Sequence, residues 1–383
     1  MALHFTRKEY AARMERLKDE MKKAGLDGML LFAQESMYWL TGYDTFGYCF
    51  FQCMIVSAKG DITLLTRAPD LRQAQHTSIV EDIRIWRDHG KAQPEKDLKQ
   101  ALEDLGYRNK ALGIERKTVG LNGFYGDAVN RSLRGFAKLA DQSLMVDTLR
   151  MVKSPAELKY IRKAGELADD ALDAAIVATR AGADEGDILA AMHSAIFSKG
   201  GDYAGNEFII GSGADALLCR YKSGRRKLSR NDQLTLEWAG SYRHYHAAMM
   251  RTIIIGKPKK RHLQLYEASR DALNAVAGAM QVGNTFGDMF DAHAKTLDEA
   301  GLREHRLNAC GYSMGASFTP CWMDPPMIYE ANPTVIEENM VLFHHMIIAD
   351  SSSKTAMTLG RSYIATRKGP VCLSRHEIDL IRC

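Results

Sequence analysis

The sequence lacks any apolar run of the roughly 18 residues that a membrane helix needs. Its first six residues also lack the basic-then-apolar pattern of a signal peptide. Its 7 cysteines are odd in number, and no two of them have the CxxC spacing. A disulfide framework and a zinc knuckle are therefore not expected. Together these absences predict a cytoplasmic protein with reduced thiols and no contact with a membrane.

The charges show little excess of one sign, with 51 Lys and Arg against 47 Asp and Glu, a net charge of +4. A nucleic-acid partner is not expected from so even a balance. The chain also has no P-loop, no GxGxxG after a strand, no HExxH and no GxSxG. With 383 residues, of which 46% are hydrophobic, it is long enough for two or three domains with large cores.

The first 150 residues alternate between predicted strands and helices. Thr6 is a suitable N-cap for a helix over 7–23, and Gly25 is a suitable stop. Apolar runs predict strands at 29–32, 53–56, 62–65, 83–86 and 111–114, and helical stretches are expected around 71–77 and 95–105. This alternation predicts an α/β domain over residues 1–150.

A second domain, over residues 151–383, is predicted from the helix start at Ser154-Pro155-Ala156-Glu157. Serine caps, proline suits the first turn, and glutamate completes a capping box. Further helices are expected over 187–198, 263–280 and 286–300, and strands over 208–210, 233–238, 246–255, 340–348 and 361–366. Long strands with helices on one side predict an α+β domain.

Polar side chains interrupt two of these apolar strands. In the segment 237–246, read as an extended strand, His244 and His246 share one face, and Arg243 and Tyr245 share the other. Such groups are costly to bury without partners, so either a ligand pocket or a half-exposed strand is expected.

His344 and His345 interrupt the second strand, 340–348. Taken alone, each is more typical of a core histidine bonded to backbone. Two such strands in one domain favour a shared site.

Several pieces, in order and spacing, resemble one family. They are Leu40-Thr41-Gly42-Tyr43, Lys153-Ser154-Pro155-Ala156-Glu157, Ile210-Gly211-Ser212-Gly213, Tyr245 with Arg251-Thr252, Gly311-Tyr312-Ser313-Met314-Gly315, and Glu338-Asn339-Met340-Val341. Over nearly its whole length the chain resembles the creatinase / aminopeptidase P / prolidase group. The resemblance implies a pita-bread catalytic domain behind a smaller α/β domain that shapes the pocket, and a homodimer.

The metallopeptidases of this group hold two metal ions with two Asp, one His and two Glu. These ligands fall here on Glu237, Ala248, Tyr312, His345 and Gly360. A dinuclear site needs bridging carboxylates, and only one remains. The resemblance therefore implies no metal and no cofactor, and points to the metal-independent branch that contains creatinase and the ectoine hydrolases.

The resemblance and the chemistry together assign roles. Glu237 is the expected general base, His345 the proton donor or shuttle, and Tyr312 a donor to the tetrahedral intermediate. Arg251 or Arg220 is expected to pair with a substrate carboxylate. The other expected substrate-binding residues are His244, His246, Tyr245, Trp322, Asp324 and Tyr48.

The sequence thus predicts a hydrolase that opens an amidine, guanidine or amide C–N bond in a small zwitterion. One alternative is a metal-dependent Xaa-Pro dipeptidase in which Glu237, His244, His246 and His345 hold one ion such as Zn²⁺. Another is a catalytically silent binding protein.

Overall fold

The structure is a computed structural model that describes residues 3–220 and 226–383. The chain divides into two compact units, Met1–Arg150 and Met151–Cys383. Among the described residues, no helix has the length and apolarity needed to cross a bilayer.

The N-terminal unit is a six-stranded mixed sheet with helices between its strands. Its helices are α1 (Arg7–Lys23), α2 (Gln34–Thr41), α3 (Asp70–Thr77), α4 (Pro94–Asp104), α5 (Gly123–Leu133) and α6 (Met145–Met151), the last running one residue past the unit. Its strands are β1 (Gly28–Leu31), β2 (Cys53–Ser57), β3 (Ile62–Arg67), β4 (Asp82–Trp86), β5 (Ala111–Ile114) and β6 (Lys138–Asp141). The spatial order is β4-β3-β2-β1-β5-β6.

Two apolar clusters enclose this sheet, and one of them contains the face of α1 that carries Met14, Leu17 and Met21. The helix begins as expected, because the Thr6 side chain accepts a hydrogen bond from the amide of Glu9. The predicted α/β domain is confirmed.

In its described residues, the C-terminal unit has four long helices and nine further strands. The helices are α7 (Pro155–Ala178), α8 (Glu185–Phe197), α9 (Lys260–Ala279) and α10 (Phe286–Glu299). The strands are β7 (Ile209–Ser212), β8 (Asp232–Tyr242), β9 (Tyr245–Ile255), β10 (Ala309–Ser313), β11 (Asp324–Tyr329), β12 (Val341–Asp350), β13 (Thr355–Ile364), β14 (Val371–Cys372) and β15 (Ile381–Arg382). The capping box of Ser154 and Glu157 opens α7 as predicted.

These strands form one sheet in the order β11-β10-β12-β13-β9-β8-β7, with β14 beside β13 and β15 beside β9. One face packs against helices: Trp238 of β8 donates from its indole nitrogen to the carbonyl of Ala168 in α7, and Met346 and Leu359 join the core under α9 and α10. The predicted α+β architecture is confirmed.

The other face of this sheet carries the candidate site. The registers pair Glu237 with Met250, Met250 with Gly360, and Gly360 with His345. These four residues therefore form one row across β8, β9, β13 and β12, because side chains directly opposite one another share a face.

The β8–β9 hairpin corrects one expectation. Arg243 and His244 lie in a two-residue turn, with φ of 50° and 64°, not on an extended strand. Positive φ at both central residues is the mark of the tight hairpin turn that suits twisted strands. His244 and His246 therefore do not share a strand face.

Candidate active site

The sheet curls so far that Tyr312 of β10 reaches Glu237 of β8. The two strands are separated by β12, β13 and β9, which in a flat sheet would place them about 19 Å apart. The Tyr312 hydroxyl nevertheless lies 3.4 Å from Oε1 of Glu237 and donates to it. The curl is held at the hairpin, where Tyr245 bridges to Ala316 and the amide of His246 donates to the carbonyl of Gly315.

A directed chain of hydrogen bonds ends on Glu237. The indole Nε1 of Trp322 donates to the Tyr312 hydroxyl at 2.9 Å. Because the indole nitrogen is only a donor, the phenol must accept this bond and is left with its single proton for Glu237. The backbone amide of Trp322 in turn donates to Oδ1 of Asn206 at 3.1 Å. The carboxylate of Glu237 is therefore held in place by its neighbours.

Burial raises the pKa of Glu237 to about 7, although the charge of Arg220 and the hydrogen bond from Tyr312 both act in the opposite direction. Burial also raises the pKa of Tyr312 well above its usual value, so the phenol stays protonated near neutral pH. Glu237 is thus a carboxyl group that can both take up and release a proton near pH 7.

A cavity of about 160 Å³ opens over Glu237. It is lined by Asn206, Glu207, Ile209, Arg220, Glu237, Pro320, Cys321, Trp322 and Met323. Among the described residues, the wall therefore combines one cation, two carboxyl groups, an amide and apolar side chains. A space of this size is below the range of drug-sized pockets and suits a compact molecule.

A smaller gap of about 20 Å³ lies beside the same carboxylate. Thr235, Met250, Ile347 and Thr358 are among the residues that line it with Glu237. A volume of this order is large enough for one water molecule.

His345 lies in the same row but is buried, with its ring 5.7 Å from the rings of both Tyr312 and Phe343. Burial, with His293 and Arg220 nearby, lowers its pKa to about 3. Its imidazole is therefore neutral near pH 7, which does not favour the expected role of His345 as a proton donor.

The residues aligned with the family's metal ligands do not fit a dinuclear site. At position 360 a Cβ atom would lie 2.6 Å from Cζ of Phe343, so that ring fills the space of an acidic side chain. Ala248 supplies only a methyl group, and Tyr312 stays a neutral phenol. Glu237 is the one carboxylate of the set, and two divalent ions need several.

The described residues also do not provide a ligand set for the alternative site with a single metal ion. In the described part of the chain, no group of three or more His, Cys, Asp or Glu side chains is placed to hold a metal ion. His246 uses Nε2 to accept from the amide of Gly205 at 2.9 Å, and His244 stacks on Phe318 at 4.1 Å. Burial lowers the pKa of His246 to about 3.

Arg251 does not face the cavity. It is one residue past Met250 on β9, so its side chain lies on the helix-covered face of the sheet. Its Nη1 donates to the carbonyls of Met250 and Gly360, at 2.8 and 2.9 Å. The expected pairing with a substrate carboxylate is therefore wrong for Arg251, whereas Arg220 lines the cavity.

Two other expected residues have structural partners, and a third lies in the N-terminal unit. Tyr245 donates from its hydroxyl to Oε1 of Glu157 at 2.8 Å, which ties β9 to α7. The carboxylate of Asp324 lies against Gly315, where a Cβ atom would be 2.6 Å from Oδ2. Tyr48 belongs to the N-terminal unit and is buried there, and its role at the site stays a prediction.

Asn206 and Glu207 were missed from the sequence. They come just before β7, separated from it by Phe208, and a pair of polar residues ahead of a buried strand was the only available signal. Asn206 accepts from Trp322, and both residues line the cavity.

Comparison with known proteins bears on this site. Residues 159–364 match the metallopeptidase family M24, and residues 13–152 match the creatinase/prolidase N-terminal domain. The ectoine hydrolase of Halomonas elongata is 25% identical over 362 residues, which cover 90% of each chain. The Xaa-Pro dipeptidase of Pyrococcus furiosus is 23% identical and covers 86% of this chain and 88% of its own.

A solved structure supports the fold. The prolidase of Thermococcus sibiricus superposes with a TM-score of 0.87 at 18% identity, over 98% of this chain and 99% of the prolidase. The M24 match spans more than half of the chain. The protein therefore belongs to metallopeptidase family M24, a family of hydrolases with the pita-bread fold, and carries the creatinase/prolidase N-terminal domain ahead of it.

Proposed function

We propose that this protein hydrolyses a C–N bond in a small zwitterionic compound without a metal ion, with Glu237 as the group that moves the proton. The observation that carries the proposal is the chain from Trp322 through Tyr312 to Glu237, beneath a cavity of about 160 Å³. The substrate class is an amidine, guanidine or amide.

The reaction needs a base for water and an acid for the leaving nitrogen, and one carboxyl group with a pKa of about 7 supplies both. The Glu237 carboxylate takes a proton from water as the oxygen attacks the substrate carbon and a C–O bond forms. Glu237 then gives that proton to the nitrogen as the C–N bond breaks. The gap beside Glu237 has room for the attacking water.

Tyr312 orients the base in the resting state, because its proton is directed to Oε1 of Glu237. When Glu237 becomes protonated, it is a weaker acceptor. The phenol is then available, as an uncharged donor in a buried site, to the oxyanion of an amide's tetrahedral intermediate or to the corresponding nitrogen of an amidine or guanidine. His345 supports the ring of Tyr312 from beside it and, being neutral, does not act as an imidazolium acid.

The charges around the cavity suit a zwitterion. Arg220 is the cation of the wall and is the partner we propose for a substrate carboxylate. Glu207 and Glu237 offer negative charge to a substrate cation, beside the indole of Trp322. The likeness to the ectoine hydrolase of Halomonas elongata favours the same substrate class.

A thermal-shift screen of the chelated protein tests this function. A ligand that binds only the folded state raises the unfolding midpoint, so ectoine, creatine and related zwitterions are compared with Xaa-Pro dipeptides. We expect a rise, and turnover, with a zwitterion. A response to dipeptides alone, with Mn²⁺ required for turnover, contradicts the proposal and favours the dipeptidase; binding of a zwitterion with no turnover favours a silent binding protein.

We also propose, from the family resemblance alone, that the protein is a cytoplasmic homodimer. Light scattering on the full chain tests the subunit number, and a mass near 42.8 kDa, that of one chain, contradicts it.

A further inference from the structure

Two arginines, Arg251 and Arg361, lie buried on the helix-covered face of the large sheet, away from Glu237. Their exposed fractions are 1% and 7%. The register that pairs Met250 with Gly360 makes them diagonal neighbours on β9 and β13, at a separation that long side chains span. Guanidinium groups stay protonated in proteins, so two like charges are enclosed together.

Several donors of these two groups have no partner. Arg251 donates from Nη1 to two backbone carbonyls. Within the described residues, Nε and Nη2 of both arginines are buried and make no hydrogen bond. A buried donor without an acceptor costs free energy, and more so when the group is charged. Four such donors side by side point to an acceptor between them.

Two carboxylates, Asp169 and Glu377, lie near the pair, and within the described residues neither accepts a hydrogen bond from Nε or Nη2 of these arginines. Asp169 accepts from the hydroxyl of Ser374 at 2.5 Å and from the amide of Arg375 at 2.8 Å. Glu377 lies 3.9 Å from Arg361, but its side chain is 84% exposed. Neither acid neutralises the pair at close range.

His344 adds an uncharged donor to the same cluster. It lies opposite Arg361 on β12 and stacks on Tyr363 at 4.7 Å, and neither of its ring nitrogens has a hydrogen-bond partner in the part of the chain that the structure describes. Burial lowers its pKa to about 3, so it brings no further positive charge near pH 7.

We propose that Arg251 and Arg361, with His344 beside them, bind a small inorganic anion such as chloride. The anion accepts the free N–H groups and offsets the repulsion between the two cations. It must be compact, because the unpartnered nitrogens have no exposed surface. The segment from β14 to Glu377 covers the site, with the carbonyl of Leu373 packed against Gly165 of α7. This site is independent of the hydrolytic function proposed above.

Thermal unfolding of the full chain at constant ionic strength tests the site, with gluconate replaced stepwise by chloride. We expect a saturable rise of the midpoint, because a ligand that binds only the folded state stabilises it. Arg361→Gln should abolish the rise. Arg367→Gln, at a side chain that is 82% exposed, is the matched control and should keep it.

A bromide-soaked crystal of the unmodified protein locates the ion and does not depend on any variant folding. We expect an anomalous peak between the two guanidinium groups. Equal midpoints in chloride and gluconate, a rise that survives in Arg361→Gln, or no bromide between the arginines would each overturn the site.

Discussion

The hydroxyl of Tyr312 donates to the carboxylate of Glu237 across a sheet in which three strands separate them. Only a strongly curled sheet permits this contact at 3.4 Å. The curl of the sheet thus brings residues that are distant in sequence, such as Glu237 and Tyr312, into one site. The chemistry of the site depends on which side chains stand at these positions. In our proposal, one carboxylate with a raised pKa acts where the family's metallopeptidases use a set of metal ligands.

The rate should depend on pH through Glu237. A base must be deprotonated, so kcat/KM should rise with pH through about 7 and level off above it. Tyr312→Phe removes a hydrogen bond that lowers this pKa, and the rising limb should move to higher pH. A pH profile of both proteins checks this. A limb that stays in place in Tyr312→Phe would contradict the assigned hydrogen bond.

Arg220 should act mainly in binding. Arg220→Gln removes the cation of the cavity wall, and we expect KM to rise about tenfold or more, with a smaller change in kcat. Arg220→Lys should recover part of the affinity, because it keeps the charge but not the bidentate geometry. Steady-state kinetics separate the two effects, and an unchanged KM in Arg220→Gln would argue against a carboxylate at this position.

The free energy of unfolding should depend on pH through the protonation of Glu237. The pKa of Glu237 is about 7 in the folded state, above its ordinary value of 4.5. Between pH 4.5 and about 7, the folded state therefore holds a proton that the unfolded chain has released. Stability attributable to this group therefore falls as pH rises from about 4.5 to about 7.

Glu237→Gln should for this reason raise the unfolding midpoint at about pH 8 and leave it unchanged at about pH 4. Midpoints of both proteins across this range measure the effect. A stabilisation of equal size at both values would assign the gain to packing rather than to the charge.

Gly360 should tolerate no side chain, because the ring of Phe343 occupies that space. Gly360→Ala should lower the free energy of unfolding by about 1–3 kcal/mol, the usual cost of overpacking. Gly278→Ala is the control: it lies in α9 with nothing near its Cβ position, and should be neutral or slightly stabilising. When Phe343→Leu is combined with Gly360→Ala, it should relieve the overpacking. Chemical denaturation of the two single glycine variants and this double variant measures the free energies of unfolding.

Much of the fold was predictable because local signals agree with it. The capping box at Ser154 and Glu157 marks the start of α7, and the apolar runs at 246–255 and 340–348 correspond to β9 and β12. Such signals depend on neighbours in sequence. The resemblance supplied the pita-bread architecture, which no local pattern specifies.

The site was harder to predict, because it depends on register and burial. Arg251 and Glu237 are both on predicted strands, but only the pairing of Glu237 with Met250 shows that Arg251 faces the helices. His244 was misplaced because a two-residue turn without glycine gives little signal. The low pKa of His345 follows from its burial, which the spacing of residues does not specify.

The most direct test of the account is turnover of the selected zwitterion by exhaustively chelated protein, measured for the unmodified chain and for Glu237→Gln. Glu166→Gln, at a side chain of α7 that is 64% exposed, is the control and should retain the rate. We predict full activity without metal and a loss of kcat on the order of 10²–10⁴-fold in Glu237→Gln, with binding retained. Activity that disappears on chelation and returns with Mn²⁺ or Zn²⁺, or a Glu237→Gln variant as fast as the unmodified chain, would contradict it.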